Sequence, residues 1–223
     1  RPWPASRVSK AFAPRRVDDA LGKATAKEWL EDMAEAMAVA RLLGDRIVLV
    51  GTSTGATLAV LGTQQWAEEI SGLILVSPNF GVKDPMASVL EWPWSHLILP
   101  LFIPSRSWEP ANGQQAKYWT HRYDSPVLFQ MQALVRAART VPFEKLSTPA
   151  LFIASPSDDV VSFAKTREVI ARWPAKLRQV HEVTVAEGQP THVILGDIMN
   201  PEQTGPLADV AEDFLRRLLE DTQ

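Results

Sequence analysis

Cysteine is absent from this sequence of 223 residues. Without it there is no disulfide framework, no cysteine-ligated zinc site and no thiol nucleophile. Basic residues are not in excess either, because 23 Lys and Arg are outnumbered by 26 Asp and Glu, which gives a formal net charge of −3. Since no basic stripe is available to neutralise a phosphate backbone, we expect no nucleic-acid partner.

Long apolar runs are also missing. Polar Gly-Thr-Ser-Thr-Gly and Thr-Gln-Gln interrupt the longest uncharged stretch, residues 47–67, whereas a membrane-spanning helix needs about 20 mainly apolar residues. The other candidate stretch, residues 92–105, is too short and contains three prolines. We therefore expect no integral membrane segment, and we predict a cytoplasmic protein. The four histidines show no metal-ligand spacing, so we expect no metal.

The remaining composition, 46% hydrophobic and 22% charged, is that of an ordinary globular domain. Short apolar segments rich in β-branched residues alternate with amphipathic segments, a pattern typical of parallel βαβ units. We predict an α/β fold in which helices flank a mainly parallel sheet, preceded by an irregular segment over residues 1–24. The predicted strands are 46–50, 72–77, 149–154 and 179–186, and the predicted helices are 26–43, 56–69, 126–138, 163–173 and 205–219.

One connection is much longer than the others. About 70 residues separate the strand ending at Ser77 from the strand beginning at Pro149, and long insertions of this kind are usually functional. We predict a helical cap over residues 82–145, inserted between two parts of the core, residues 1–81 and 146–223. Its apolar side chains are either the interior of the cap itself or the wall of an apolar substrate pocket. The candidates for the pocket wall are Trp92, Trp94, Leu97, Phe102 and Trp119.

The segment Gly51-Thr-Ser53-Thr-Gly55 lies between a predicted buried strand and a predicted helix. A sharp turn from strand to helix places its central residue in a strained backbone conformation, and the flanking glycines are expected to avoid clashes. Such a turn would raise the Ser53 hydroxyl above the sheet, at the positive end of the helix. Ser53 is therefore a candidate nucleophile; the alternative is an inert turn residue.

A serine nucleophile needs a base to take its proton and an acid to orient that base. Asp158 follows the strand 149–154, and His192 follows the strand 179–186. Because the carboxyl ends of parallel strands meet at one edge of a sheet, we expect both side chains to lie near Ser53. Asp159 remains the alternative acid.

The other histidines are weaker candidates. His181 alternates with valines inside a predicted strand and is expected to be a core residue. His96 and His121 fall in the predicted cap, where they could line a pocket without contacting Ser53.

On these residues the sequence resembles the α/β-hydrolase superfamily, and within it the capped esterases and lipases of the monoacylglycerol-lipase or lysophospholipase type. The resemblance covers residues 25–221. It implies Ser53 as nucleophile, His192 as general base and then acid, and Asp158 as the orienting carboxylate. The segments that carry it are Gly51-Thr-Ser-Thr-Gly55, Ser155-Pro-Ser-Asp-Asp-Val-Val-Ser162 and Thr191-His-Val-Ile-Leu-Gly-Asp197.

The sequence departs from this family before the turn. In the family, further strands precede the nucleophile, and a His-Gly or Gly-rich loop after one of them supplies an oxyanion-hole N–H. Residues 1–46 contain neither His-Gly nor Gly-Gly. The backbone N–H of Thr54 is thus one expected donor, and we expect the second from an N-terminal segment outside these residues, with residues 1–21 as a connecting loop.

The resemblance implies hydrolysis of a carboxylic ester through an acyl-enzyme, without a cofactor. An apolar pocket would favour a small-molecule acyl ester such as a monoacylglycerol. The same fold also hosts serine peptidases, thioesterases and acyltransferases, and these remain alternatives. A non-catalytic, hydrolase-like binding module is the alternative of another class.

Overall fold

The structure is a computed structural model that describes residues 20–220. The described strands, in chain order, are β1 (Ile47–Thr52), β2 (Ile70–Val76), β3 (Ser105–Ser107), β4 (Arg122–Asp124), β5 (Ala150–Ala154) and β6 (Arg178–Glu182). The described α-helices are α1 (Ala20–Lys23), α2 (Ala26–Leu43), α3 (Thr54–Trp66), α4 (Ser95–Phe102), α5 (Gly113–Tyr118), α6 (Pro126–Arg139), α7 (Phe163–Ala171) and α8 (Pro201–Glu220). Short 3-10 helices cover Pro85–Glu91 and Phe143–Lys145.

Four strands form one sheet in the order β1-β2-β5-β6, and each neighbouring pair is parallel. The central strand β5 is buried throughout, as expected for a strand covered on both faces. The outer strands are less buried: Val50 in β1 is 68% exposed and Val180 in β6 is 41% exposed. The predicted parallel sheet flanked by helices is therefore confirmed.

Helices cover both faces of the sheet because alternate residues of each strand point to opposite sides. On one face, Leu73, Leu75 and Phe152 share a hydrophobic core with residues of α2, α3, α6 and α7. On the other face, Ile74 and Leu151 pack with residues of α8. The sheet is thus held between two apolar layers, and its carboxyl edge is left for polar side chains.

Several predicted elements appear with small shifts. The predicted helix over 26–43 begins with a capping box, in which the Thr25 hydroxyl accepts from the Glu28 N–H and the Glu28 carboxylate accepts from the Thr25 N–H. Strand β6 ends at Glu182 rather than at residue 186, because its neighbour β5 ends opposite it at Ala154. Helix α8 starts at residue 201, four residues before the predicted start, and includes a Gly-Pro pair.

The predicted irregular segment over residues 1–24 is only partly described. Residues 1–19 lie outside the described residues, and residues 20–23 form the short helix α1, which corrects the prediction for that part. The connecting loop expected over residues 1–21 and the strands expected before it also remain predictions.

The segment between β2 and β5 contains α4, α5, α6 and the antiparallel pair β3 and β4. Helix α6 packs against α3, with Leu134 beside Leu58 and Met33. Ser125 precedes α6 and is of a residue type that often caps helices, but it has helical backbone angles, and its hydroxyl donates to the carbonyl oxygen of Ile103. The division of the chain into a core and a cap over residues 82–145 stays a prediction.

Within residues 20–220, no helix combines the length and the apolar character that crossing a bilayer requires.

Candidate active site

The turn from β1 to α3 is strained at Ser53. This residue has φ 53° and ψ −119°, a region that serine rarely adopts and that a structure retains when its surroundings enforce it. The Ser53 N–H donates to the Val76 carbonyl oxygen of the neighbouring strand at 2.9 Å. Because α3 begins at the next residue, the half-buried Ser53 lies at the positive end of that helix.

Only one of the two glycines in this turn has a steric reason to be glycine. A Cβ at Gly51 would lie 2.5 Å from the Gly55 carbonyl oxygen and 2.6 Å from the Ala56 nitrogen. A Cβ at Gly55 would meet nothing within 4 Å. The close approach of strand to helix therefore requires glycine at position 51, whereas the clash expected at position 55 is absent.

The Asp158 side chain is buried just beyond the carboxyl end of β5, with 2% of the residue exposed. Its Oδ1 accepts hydrogen bonds from the backbone N–H groups of Val160 and Val161, each at 2.9 Å. Its Oδ2 lies 2.8 Å from Nδ1 of His192. The carboxylate is thereby fixed in orientation from both sides.

Asp159, the alternative acid, points elsewhere. Its carboxylate accepts a hydrogen bond from the Thr191 hydroxyl at 2.6 Å, and its N–H donates to that hydroxyl at 3.2 Å. Asp159 thus connects the loop after β5 to the residue before His192 without contacting the imidazole.

The His192 imidazole joins the carboxylate to the serine. Its Nε2 lies 3.0 Å from Ser53 Oγ, and its side chain is 14% exposed. A carboxylate at Asp158 can only accept, so Nδ1 is placed to donate to it and Nε2 is placed to accept the Ser53 hydroxyl proton. The result is a continuous hydrogen-bonded chain from Ser53 through His192 to Asp158.

The backbone N–H of Thr54 is available beside this chain. It is the first residue of α3, and the first N–H groups of a helix have no partner within the helix. Among residues 20–220, no acceptor for this N–H is found. It could therefore donate to an oxygen placed next to Ser53.

Hydrogen bonds from two side chains to main-chain carbonyl oxygens hold the loop that carries His192. The buried Ser77 hydroxyl, at the end of β2, donates to the His192 carbonyl oxygen at 2.8 Å. The Asn200 side chain donates to the carbonyl oxygens of Pro190, at 3.1 Å, and Val193, at 2.5 Å. Neither Ser77 nor Asn200 was identified as a site residue from the sequence. The position of Ser77 directly after β2, like that of Ser53 directly after β1, is a sequence feature that could have identified it.

The remaining histidines do not contact Ser53. His181 is half-buried in the edge strand β6, so the prediction of a core histidine was wrong. His96 is exposed and lies edge-on to Phe129, with 6.4 Å between ring centroids. His121 is half-buried and lies beside the Trp108 ring.

The residues predicted to line a substrate pocket lie mostly at the surface. Trp92 is 64% exposed, Trp94 62%, Leu97 61% and Phe102 79%, while Trp119 is half-buried. Their role as a pocket wall remains a prediction.

The insertion reaches the carboxyl edge of the sheet through polar contacts. The Asn112 amide donates to the Ile198 carbonyl oxygen at 3.0 Å, and the Lys83 ammonium donates to the Asp158 carbonyl oxygen at 2.7 Å.

A cleft of about 510 Å³ lies at the opposite, amino edge of the sheet, between Arg46, Ser71 and Lys176. The parallel strands begin at this edge, whereas Ser53 follows the end of β1, so the length of a strand separates the cleft from Ser53. Residues 20–220 contain no cluster of side chains suited to hold a metal ion.

Solved structures similar to this chain share its fold. One, described with two metagenome-derived lipolytic enzymes, is 15% identical, covers 88% of this chain and 76% of its own, and gives a TM-score of 0.71. The monoacylglycerol lipase of Paleococcus ferrophilus is 16% identical over 88% and 77% of the two chains, with a TM-score of 0.65. The monoglyceride lipase of Saccharomyces cerevisiae is 10% identical over 88% and 71%, with a TM-score of 0.62.

Sequence comparison gives a second result. No curated protein matches the chain, but the model of the Hydrolase_4 family, described as serine aminopeptidase, S33, matches residues 23–189. That match covers well over half of the sequence and includes both Ser53 and Asp158. The chain therefore belongs to the Hydrolase_4 family and has the α/β-hydrolase fold.

Proposed function

We propose that this protein is a serine hydrolase that cleaves carboxylic esters through an acyl-enzyme intermediate. The observation that supports it most is the hydrogen-bonded chain of Ser53, His192 and Asp158, with 3.0 Å and 2.8 Å between the partners. A serine, an imidazole and a buried carboxylate in this order activate the serine oxygen for attack on a carbonyl carbon.

In the first half of the reaction, Ser53 Oγ attacks the ester carbonyl carbon while His192 Nε2 takes the hydroxyl proton. Asp158 keeps Nδ1 protonated and stabilises the imidazolium that forms. The carbonyl oxygen becomes an oxyanion, which the Thr54 N–H stabilises at the helix N-terminus. When the carbon–oxygen bond to the alcohol breaks, His192 returns the proton to the departing alkoxide oxygen.

In the second half, water attacks the ester that links the acyl group to Ser53. His192 now takes a proton from the water, and the Thr54 N–H again stabilises the oxyanion. Collapse of the intermediate releases the carboxylic acid, and the proton returns from His192 to Ser53 Oγ. The cycle leaves the protein unchanged and needs no cofactor.

The choice of an ester substrate is supported by the apolar insertion and by the neighbours' descriptions. The three similar structures are described as lipolytic or as monoglyceride lipases. No side chain that is charged at neutral pH occurs between Glu91 and Arg106, and this segment contains Trp92, Trp94, Leu97 and Phe102. Apolar side chains of this kind suit an acyl chain, so we propose that these four residues and Trp119 contact it.

A peptidase is the second candidate, because the family description names a serine aminopeptidase. The same three residues could cleave an amide. An aminopeptidase must also bind a free ammonium group, for which a nearby carboxylate would be the natural partner. Asp158 is already engaged by His192 and by two backbone N–H groups, so it is not available as that partner.

The test of the nucleophile uses a fluorophosphonate probe, which phosphonylates an activated serine. We expect the wild-type protein to be labelled and Ser53→Ala to remain unlabelled. Ser88→Ala is the matched control, because Ser88 is an exposed serine whose hydroxyl donates to the Pro85 carbonyl oxygen. Labelling that persists in Ser53→Ala would refute the assignment of the nucleophile, and a folded wild-type protein without labelling would favour a binding module.

The test of the substrate class uses p-nitrophenyl esters of increasing acyl length together with aminoacyl anilides. We expect hydrolysis of the esters and little hydrolysis of the anilides. A higher kcat/KM for the anilides would contradict the ester assignment and favour the peptidase.

A further inference from the structure

We propose that Ser77 is a positioning residue, which holds the main chain of His192 so that the imidazole stays within reach of Ser53. This inference rests on the proposed function, because it assigns Ser77 a role in the same reaction. Ser77 follows β2, which lies between β1, the strand before Ser53, and β5, the strand before Asp158.

The location of Ser77 is the first argument. Strand β2 lies between β1 and β5 in the sheet, and Ser77 is the residue that follows it. Its N–H continues the ladder by donating to the Ile153 carbonyl oxygen at 2.8 Å. The residue is fully buried, so its main chain is fixed by the centre of the sheet and its side chain is out of reach of a substrate.

The contact made by the hydroxyl is the second argument. Ser77 Oγ donates to the His192 carbonyl oxygen at 2.8 Å, and in the described part of the chain no other side chain bonds to that oxygen. The segment 183–200 around His192 contains neither a helix nor an extended strand, so its path depends on such contacts. Asn200 and Asp159 fix neighbouring positions of the loop, but among the side chains of residues 20–220 only that of Ser77 binds the backbone of His192 itself.

The backbone conformation of Ser77 is the third argument. Its φ is 43°, in the left-handed region that glycine adopts freely and other residues adopt at a cost. Only three described residues other than glycine have a positive φ, and two of these, Ser53 and Ser77, follow adjacent strands at this edge. A glycine at position 77 would relieve the strain but would lack the hydroxyl, so the strained serine is explained if the hydroxyl is needed.

The expected effect follows from the geometry of the hydrogen-bonded chain. Without the Ser77 hydroxyl, the His192 carbonyl oxygen loses its donor and the loop is free to shift relative to β1. A misplacement of about 1 Å between reacting groups lowers a rate about 100-fold. We expect kcat to fall about tenfold to 100-fold, while KM changes little because Ser77 is buried away from the substrate.

The experiment compares Ser77→Ala, Ser77→Gly and Ser77→Thr with the wild-type protein, using ester kinetics, the rate of fluorophosphonate labelling and thermal unfolding. Alanine removes the hydroxyl and keeps the strain, whereas glycine removes both and folds without strain at φ 43°. We expect both variants to lose kcat and labelling rate, with Ser77→Gly regaining stability over Ser77→Ala but no activity. Ser77→Thr keeps a hydroxyl and is expected to recover part of kcat.

Thr63→Val is the matched control. Thr63 is also buried, and its hydroxyl donates to the Val60 carbonyl oxygen at 2.7 Å. It lies ten residues beyond Ser53 in α3, about 15 Å along the helix axis. We expect this variant to lose stability while its kcat stays at the wild-type value.

The outcomes separate the two proposals. If the wild-type protein is neither labelled nor active, the proposed function fails. If the wild-type protein is active and Ser77→Gly keeps its kcat, or if kcat in all variants simply follows the folded fraction, the role of Ser77 is refuted and the proposed function stands.

Discussion

Replacing Gly51 with alanine is expected to move the reactive serine. The added Cβ would lie 2.5 Å from the Gly55 carbonyl oxygen, whereas ordinary contacts begin at 3.4 Å, so these atoms must move apart by about 0.9 Å, a strain of the kind that costs about 1–3 kcal/mol. Both the oxygen and the nearby Ala56 nitrogen are backbone atoms of α3 and cannot rotate away. Because Ser53 connects β1 to α3, a displacement of this size should lower kcat about 100-fold.

Gly55→Ala is the control for this prediction. Its Cβ would meet nothing within 4 Å, and alanine is favoured over glycine in a helix by about 1 kcal/mol. We expect this variant to unfold at a higher temperature than wild type and to keep most of its labelling by a small fluorophosphonate. Equal labelling rates in Gly51→Ala and wild type would refute the steric argument, as would equal losses in the two alanine variants.

Four further predictions concern the acid, the core, an ion pair and the insertion. Asp158→Asn should lower kcat about 10⁴-fold because the imidazole loses its orienting carboxylate, whereas Asp159→Asn should cost far less; ester kinetics of both variants would show a reversed order if Asp159 were the acid. Phe214→Ala should lower the free energy of unfolding by about 3–5 kcal/mol, since this fully buried ring packs under the sheet, and urea denaturation would reveal a smaller loss if the site collapsed. The hydrogen bond from Arg172 lowers the pKa of Glu144, so the ion pair stabilises the fold at pH values above the usual carboxyl pKa of about 4, and this stability is lost as the pH falls through the lowered pKa. The unfolding temperature of Glu144→Gln should therefore lie slightly below that of wild type at neutral pH and equal it in acid. A difference in unfolding temperature that does not change with pH would contradict the assignment. Leu97→Ser should raise KM for long-chain esters without changing the rate of fluorophosphonate labelling, and an unchanged KM across chain lengths would exclude Leu97 from the substrate site.

The parts of the fold that the sequence predicts well are those with a strong local signal. Strand β5 is an uninterrupted apolar run, and α2 begins with a capping box whose two hydrogen bonds are both present. The positions of Ser53, Asp158 and His192 relative to their strands then follow from chain order alone, because parallel strands bring their carboxyl ends to one edge. Local patterns thus predicted which side chains could meet.

Other features depend on neighbours that a local pattern does not contain. Strand β6 ends where its partner β5 ends, although the sequence continues with alternating valines. The Ser125 hydroxyl donates to Ile103 instead of capping α6, a contact across 22 residues. The hydrogen bond from Ser77 to His192 spans 115 positions in the sequence and requires knowledge of the strand order.

The likeness to the solved lipase structures concerns the fold and not the choice of substrate. Identities of 10–16% with TM-scores of 0.62–0.71 mean that the path of the backbone is shared while most side chains are not. The geometry of Ser53, Asp158 and His192 depends on that path, since each side chain is placed by the end of a strand. The substrate contacts that we propose depend on side chains of the insertion, such as Trp94 and Phe102, which are exposed and are not fixed by the sheet. Substitutions there should change which acyl chains are accepted, whereas those at the carboxyl edge of the sheet should change the rate for every substrate alike.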